Sequence, residues 1–114
     1  MEIEVPDNKL RAALEDEAVC RKRFGKPMTK YIRIRVQALD AADDLSVFWP
    51  PKSKPERVHE LTGDLAGTFS VDVKQPYRLL FRPLDEPSDP PENQQERWKL
   101  IKRIELLSIE DTHG

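Results

Sequence analysis

The 114-residue chain predicts an α+β fold made of an N-terminal strand, a two-helix hairpin, an antiparallel β-meander and a C-terminal strand central in the sheet. Three observations predict it. In the stretch from Val58 to Phe81, VHELTGDLAGTFSVDVKQPYRLLF, Phe69, Val71 and Val73 alternate with Thr68, Ser70, Asp72 and Lys74. That period of two marks a strand with one buried and one wet face. Upstream, Leu10, Ala13, Leu14 and Ala18, and then Met28, Ile32, Val36 and Leu39, recur at helical spacing. Near the C-terminus, Ile101, Ile104, Leu106, Leu107 and Ile109 are apolar on both faces, as a strand covered on both sides requires.

Glu2 to Val5 alternates and reads as a short strand, ended by Pro6. Asp7 is a suitable N-cap for a helix from Asn8 to Phe24, with Gly25 as its stop. Pro27 suits the start of the second helix, Met28 to Leu39. Asp40 would cap one further turn, Ala41 to Val47, before the proline-rich stretch from Trp49 to Pro55 halts regular structure. The meander then has strands at Val58–Leu61, after Gly67, and at Tyr77–Pro83, with a turn at Thr62-Gly63-Asp64 and a break at Gln75-Pro76. Leu84 to Glu96 holds three prolines and five acids, and with nothing to bury it is expected to be an extended, mobile connection. Trp98 to Asp111 is the last strand.

The length suits one domain, residues 1–114, with one core. No apolar run approaches the roughly 20 residues of a membrane helix. The acidic N-terminus lacks the marks of a signal peptide, so a cytoplasmic, membrane-free protein is expected. Cys20 is the only cysteine, so it makes no internal disulfide and suits a reduced thiol in a helix. The net charge of −2 conceals an asymmetry: the first 17 residues carry six acids, whereas Ala18 to Leu39 carries seven cations and no acid. Arg21, Lys22, Arg23, Lys26, Lys30, Arg33 and Arg35 form a block suited to phosphates or to an acidic partner. Cations at helix C-termini also answer the macrodipole with no partner at all.

The two histidines lie at the sheet's edge, His59 before the meander and His113 after the last strand. Imidazoles titrate near neutral pH, and cations and a carboxylate accompany them. Together these are the parts needed to cut a phosphodiester without a metal or other cofactor. RNA carries its own nucleophile in the 2′-OH, so no serine or cysteine nucleophile is needed. No metal-ligand spacing is visible.

At these residues the chain resembles the RelE/ParE toxin superfamily, and most of all its HigB branch. The resemblance is carried by VHELTGDLAGTFSVDVKQPYRLLF and by the terminal IEDTHG. It covers residues 40–84 and 104–114, and the N-terminal strand and helices in order and length only. It implies a RelE-like microbial ribonuclease fold and metal-free, ribosome-dependent cleavage of mRNA on the 70S ribosome. It also implies neutralisation by a HigA-like helix-turn-helix antitoxin, with operator DNA contacted only through that antitoxin. Carried over by position, the catalytic set is His59, Arg78, Asp111 and His113. Lys52, Lys54, Lys74, Arg82 and Thr112 would meet RNA phosphates. The block Arg21, Lys22, Arg23, Lys26, Lys30 and Arg33 would meet ribosomal RNA or the antitoxin. Thr112 stands where the family has a tyrosine, and the chain is mildly acidic where such toxins are basic; both imply attenuated activity. Two other classes stay open, a ParE-like gyrase inhibitor and an inactive or repurposed binding module of the same fold.

Overall fold

The computed structural model describes residues 1–111. Five strands form one sheet in the order β1-β5-β4-β3-β2, with β1 at Glu2–Glu4, β2 at His59–Glu60, β3 at Phe69–Lys74, β4 at Tyr77–Pro83 and β5 at Arg103–Asp111. β1 runs parallel to β5, and the other neighbours are antiparallel. The mixed α+β architecture and the interior last strand are as the sequence predicts. β5 lies between β1 and β4, and Ile104 and Leu106 are fully buried.

The core lies between the sheet and the helices α1 (Asn8–Glu15), α2 (Glu17–Phe24) and α3 (Lys26–Ala41). Leu10, Ala13, Ile32 and Leu39 belong to the same buried cluster as Phe69, Val71, Leu79, Phe81, Ile104 and Leu106. Phe69 and Phe81, opposite each other on β3 and β4, stack at 5.5 Å. Burying these side chains contributes roughly 1.5–3 kcal/mol each. Among the described residues no helix is long and apolar enough to cross a membrane.

Several expectations need correction. The first helix is two: Asp16 adopts extended backbone, closes α1 by donating to Ala12 O and caps α2 by accepting from Ala18 N at 2.8 Å. An Asp side chain that accepts from backbone N–H groups two and three residues on competes with helix continuation. Gly25, at φ 87°, turns α2 into α3, which starts at Lys26 rather than Met28. The turn expected over Ala41–Val47 is a 3-10 turn at Leu45–Phe48, capped by Asp44 and not by Asp40. The strand expected at Val58–Leu61 is only His59–Glu60.

The largest departure is the acidic connection. It ends in a short helix, α4 (Gln94–Lys99), capped by Asn93, and Trp98 lies in this helix, buried at 2% exposure, rather than in the last strand. Arg97 fastens the helix down. Its guanidinium donates to both carboxylate oxygens of Glu86 at 2.8 and 3.1 Å, and to Glu60 Oε1 at 2.6 Å. It also lies 5.5 Å from the Phe69 ring centroid.

Candidate functional site

Residues paired across a sheet point to the same face, so the ladder registers show what the surface away from the core presents. One rung is His59, Ser70, Leu80 and Ser108; the next is Asp72, Arg78 and Glu110. His59 and Arg78 therefore share a face on neighbouring rungs, two strands apart. Ser70 is not the wet residue that strict alternation predicts. It is fully buried, and its Oγ has no hydrogen-bond partner among the described residues. Leaving a buried hydroxyl unpaired costs about 1–3 kcal/mol.

His59 Nδ1 lies 2.8 Å from the carbonyl oxygen of Arg57. A carbonyl can only accept, so Nδ1 carries a proton and Nε2 is the nitrogen that the neutral ring offers as a base. Arg57 has φ 49°, a conformation that turns its carbonyl toward His59 while its guanidinium reaches Asp72 Oδ2 at 3.2 Å. Asp72 also faces Arg78, whose Nε is 3.6 Å from Oδ1. That separation is an ion pair without a hydrogen bond. A third arginine, Arg35 of α3, donates from Nε to the Asp72 carbonyl at 2.8 Å.

His59 also lines a cleft of about 450 Å³ with Trp49, Pro51, Lys52, Glu60, Leu61, Thr62, Gln94 and Trp98. Lys52 of the predicted phosphate-binding set is thus beside His59, while Lys54 is exposed in the same loop. Lys74 is exposed at the end of β3. The register shift between Asp72 and Lys74 accompanies a Lys74 Nζ 5.4 Å from the Tyr31 ring centroid on α3. Arg82 is paired with Glu105 at 2.6 Å. Asp111 ends β5 opposite Tyr77, and Thr112 and His113 lie outside the described residues. Among the described residues, no three His, Cys, Asp or Glu side chains are grouped to hold a metal.

The basic block divides. Arg21, Lys26, Lys30 and Arg33 line a second groove of about 570 Å³ between α2 and α3, with Glu17, Pro27, Thr29 and Ile34. Arg35 turns to the sheet instead, and Arg23 lies over the Phe24 ring at 4.8 Å. Sequence reading missed Arg57, Asp72, Trp49, Trp98 and Gln94. The pairing of Asp72 with Arg78 depends on the register shift between Asp72 and Lys74; a two-residue break at Gln75-Pro76 with regular pairing would set Arg78 opposite Val73 instead. The meeting of the two tryptophans depends on α4 and has no local signal.

Three solved structures match this arrangement along nearly its whole length. The YoeB/ParE toxin from Agrobacterium tumefaciens superposes with a TM-score of 0.58 at 13% identity, covering 99% of this chain and 100% of that one. The fold is that of these toxins. The YoeB-YefM complex from Staphylococcus aureus gives 0.55 at 14% identity, over 96% and 94% of the two chains. The Staphylococcus aureus YoeB dimer gives 0.52 at 15%, over 95% and 92%. No family model and no curated protein matches the sequence.

Proposed function

We propose that this protein is the toxin of a type II toxin-antitoxin pair and acts as a ribosome-dependent endoribonuclease on mRNA. The observation that carries the reading is His59: its Nδ1 is committed to a carbonyl, its Nε2 is left as a base, and it shares a sheet face with Arg78. The full-length likeness to YoeB toxins and the HigB-like motif support it.

The chemistry is an internal displacement. His59 Nε2 removes the proton from a ribose 2′-OH, and the oxygen forms a bond to the adjacent phosphorus as the bond to the 5′-oxygen breaks. The 5′-oxygen departs with a proton supplied by an acid, the role that the family resemblance gives to His113. The products are a 2′,3′-cyclic phosphate and a 5′-hydroxyl. Arg78 and Arg57 meet the charge that grows on the phosphoryl oxygens. No cofactor enters this scheme. The partners are the ribosome with its mRNA and a HigA-like helix-turn-helix antitoxin, the second in keeping with a YoeB-YefM complex among the structural neighbours.

His59→Gln tests the reading. Gln keeps hydrogen-bonding capacity and removes the titratable base, and a lost general base typically lowers a rate by 10²–10⁴. Cells expressing wild type should stop growing and show mRNA cut on ribosomes, and cells expressing the variant should do neither. Equal arrest by both proteins would overturn the assignment.

A further inference from the structure

The cleft beside His59 has a second half that proton transfer does not use, and its wall is aromatic. Trp49 follows the 3-10 turn and Trp98 comes from α4; their ring centroids are 5.0 Å apart at 85°. Trp98 is 2% exposed and packs against Phe69 as well, at 5.7 Å. It therefore holds Trp49, which is half-buried, at a fixed angle in the cleft wall. Lys52 adds a cation to the same lining.

Glu60 is the one acid in that lining, and it would repel an anion if it were free. It is not: Oε1 accepts from Arg97 at 2.6 Å and Oε2 accepts from Gly67 N at 3.0 Å. Gln94, also in the lining, gives its Oε1 to Arg97 at 3.1 Å and its Nε2 only a long 3.4 Å contact to Glu92 O. Amide protons of Gln94 thus remain for a ligand acceptor. An indole face, an amide donor and a neighbouring cation suit a flat heteroaromatic ring that carries a phosphate.

We infer that this cleft is a base-binding subsite: one nucleobase of the RNA stacks on Trp49, with its phosphate toward Lys52 and His59. The inference rests on the ribonuclease reading and names a specificity element within it. Gln94 and Trp98 of α4 belong to the wall of the subsite, so α4 selects the base while His59 and the arginines handle the phosphate.

Trp49 and Trp98 are the only tryptophans in the chain, so selectively excited tryptophan emission of the intact protein reports this cleft, away from Tyr31 and Tyr77. Titration with the trinucleotide ApApA should quench it saturably, and AMP should do so more weakly. Thr62 is an exposed lining residue. Thr62→Glu places a second, unpaired carboxylate in the cleft and should weaken ApApA binding, whereas Thr62→Gln should not. Trp49→Leu should weaken binding, followed with labelled RNA, by about 5- to 150-fold, the range of one lost base stack. Absence of quenching by ApApA, or equal affinity for wild type, Thr62→Glu and Trp49→Leu, overturns the subsite. Quenching by AMP but not by ApApA overturns RNA as the source of the base. Cleavage on ribosomes, measured in parallel, separates the two readings. Cleavage without quenching sinks the subsite alone, and quenching without cleavage sinks the ribonuclease reading while leaving a nucleotide-binding cleft.

Discussion

Asp72 gathers three arginines and leaves each with a different task. Arg35 is spent on the backbone carbonyl of Asp72 and ties α3 to β3. Arg57 and Arg78 share the carboxylate, and neither guanidinium is used up by it: one makes a single 3.2 Å contact and the other an ion pair at 3.6 Å. The pairing holds both cations in place; under the proposed function a phosphate would meet charge already fixed, which lowers a barrier without reorganisation. Arg78→Ala should reduce cleavage by about 10²–10³. The protein should still melt cooperatively, because Asp72 keeps Arg57 as its partner. A variant that cleaves normally would make Arg78 a structural tie between β3 and β4, and one that loses its cooperative melt would do the same.

At the scale of elements, α4 is held by Trp98 in the core and by the ion pairs of Arg97. Arg97 has a pKa raised above the ordinary arginine range, first by its hydrogen bonds to Glu86 and then, against the opposing effect of burial, by Glu60. It is charged at every working pH. Arg97→Met keeps much of the apolar stem but leaves Glu60 and Glu86, both partly buried, without their shared cation. The expected loss is about 2 kcal/mol, the scale of charged hydrogen bonds at a half-buried site. It should appear as a lower denaturation midpoint, together with a red shift of tryptophan emission as Trp98 loosens. A shift in midpoint with unchanged emission would mean that α4 stays docked without this anchor.

The first helix offers a pH test. Asp7 accepts from Leu10 N at 2.9 Å, and that hydrogen bond is the main reason its pKa lies below 3.8. A depressed carboxylate stabilises the fold fully above its unfolded value and loses the effect as pH falls through the folded value. Asp7→Ala should therefore melt at a lower temperature than wild type at pH 7, and the gap should close as the pH drops below 3.8. A gap that is constant with pH would assign the effect to helix propensity rather than to the charged cap.

How much of these elements was legible depended on where their partners lie in the sequence. β3, β4 and the core face of β5 are readable because period-two alternation is a local property, and Phe69, Val71, Leu79 and Phe81 are buried as it requires. Asp16 broke the first helix because its backbone N–H closes α1 while its carboxylate caps α2, a competition that periodicity does not register. α4 was hidden for a different reason. Its stability comes from Glu60, Phe69 and Trp49, all distant in sequence, so six residues with ordinary propensity looked like the tail of an acidic loop. The site divides the same way. His59 and Arg78 share a face through the meander, whereas Lys52 beside His59, Arg57, Asp72 and the aromatic wall required the register and the tertiary packing.

For the whole molecule, net charge is a poor guide to what it attracts. A total of −2 suggests weak affinity for nucleic acid, yet Arg21, Lys26, Lys30 and Arg33 converge on one groove between α2 and α3, with Glu17 as the single acid in its lining. Local field outweighs total charge in steering. Under the proposed function, this groove is the surface expected to meet ribosomal RNA. Reversing Arg21, Lys30 and Arg33 to Glu together should weaken co-sedimentation with ribosomes. It should also flatten the dependence of log affinity on log salt by roughly 2 to 3 units, since each lost phosphate contact removes about 0.7–0.9. Lys102→Glu, at an exposed cation outside the groove, is the control and should change the slope by at most one contact. Cleavage of a short RNA without ribosomes, if measurable, should be unaffected, because none of the three lines the His59 cleft. An unchanged salt slope in the triple variant would exclude ribosomal RNA from this groove. Loss of antitoxin binding in the same variant would then assign the groove to the antitoxin's acidic side chains instead.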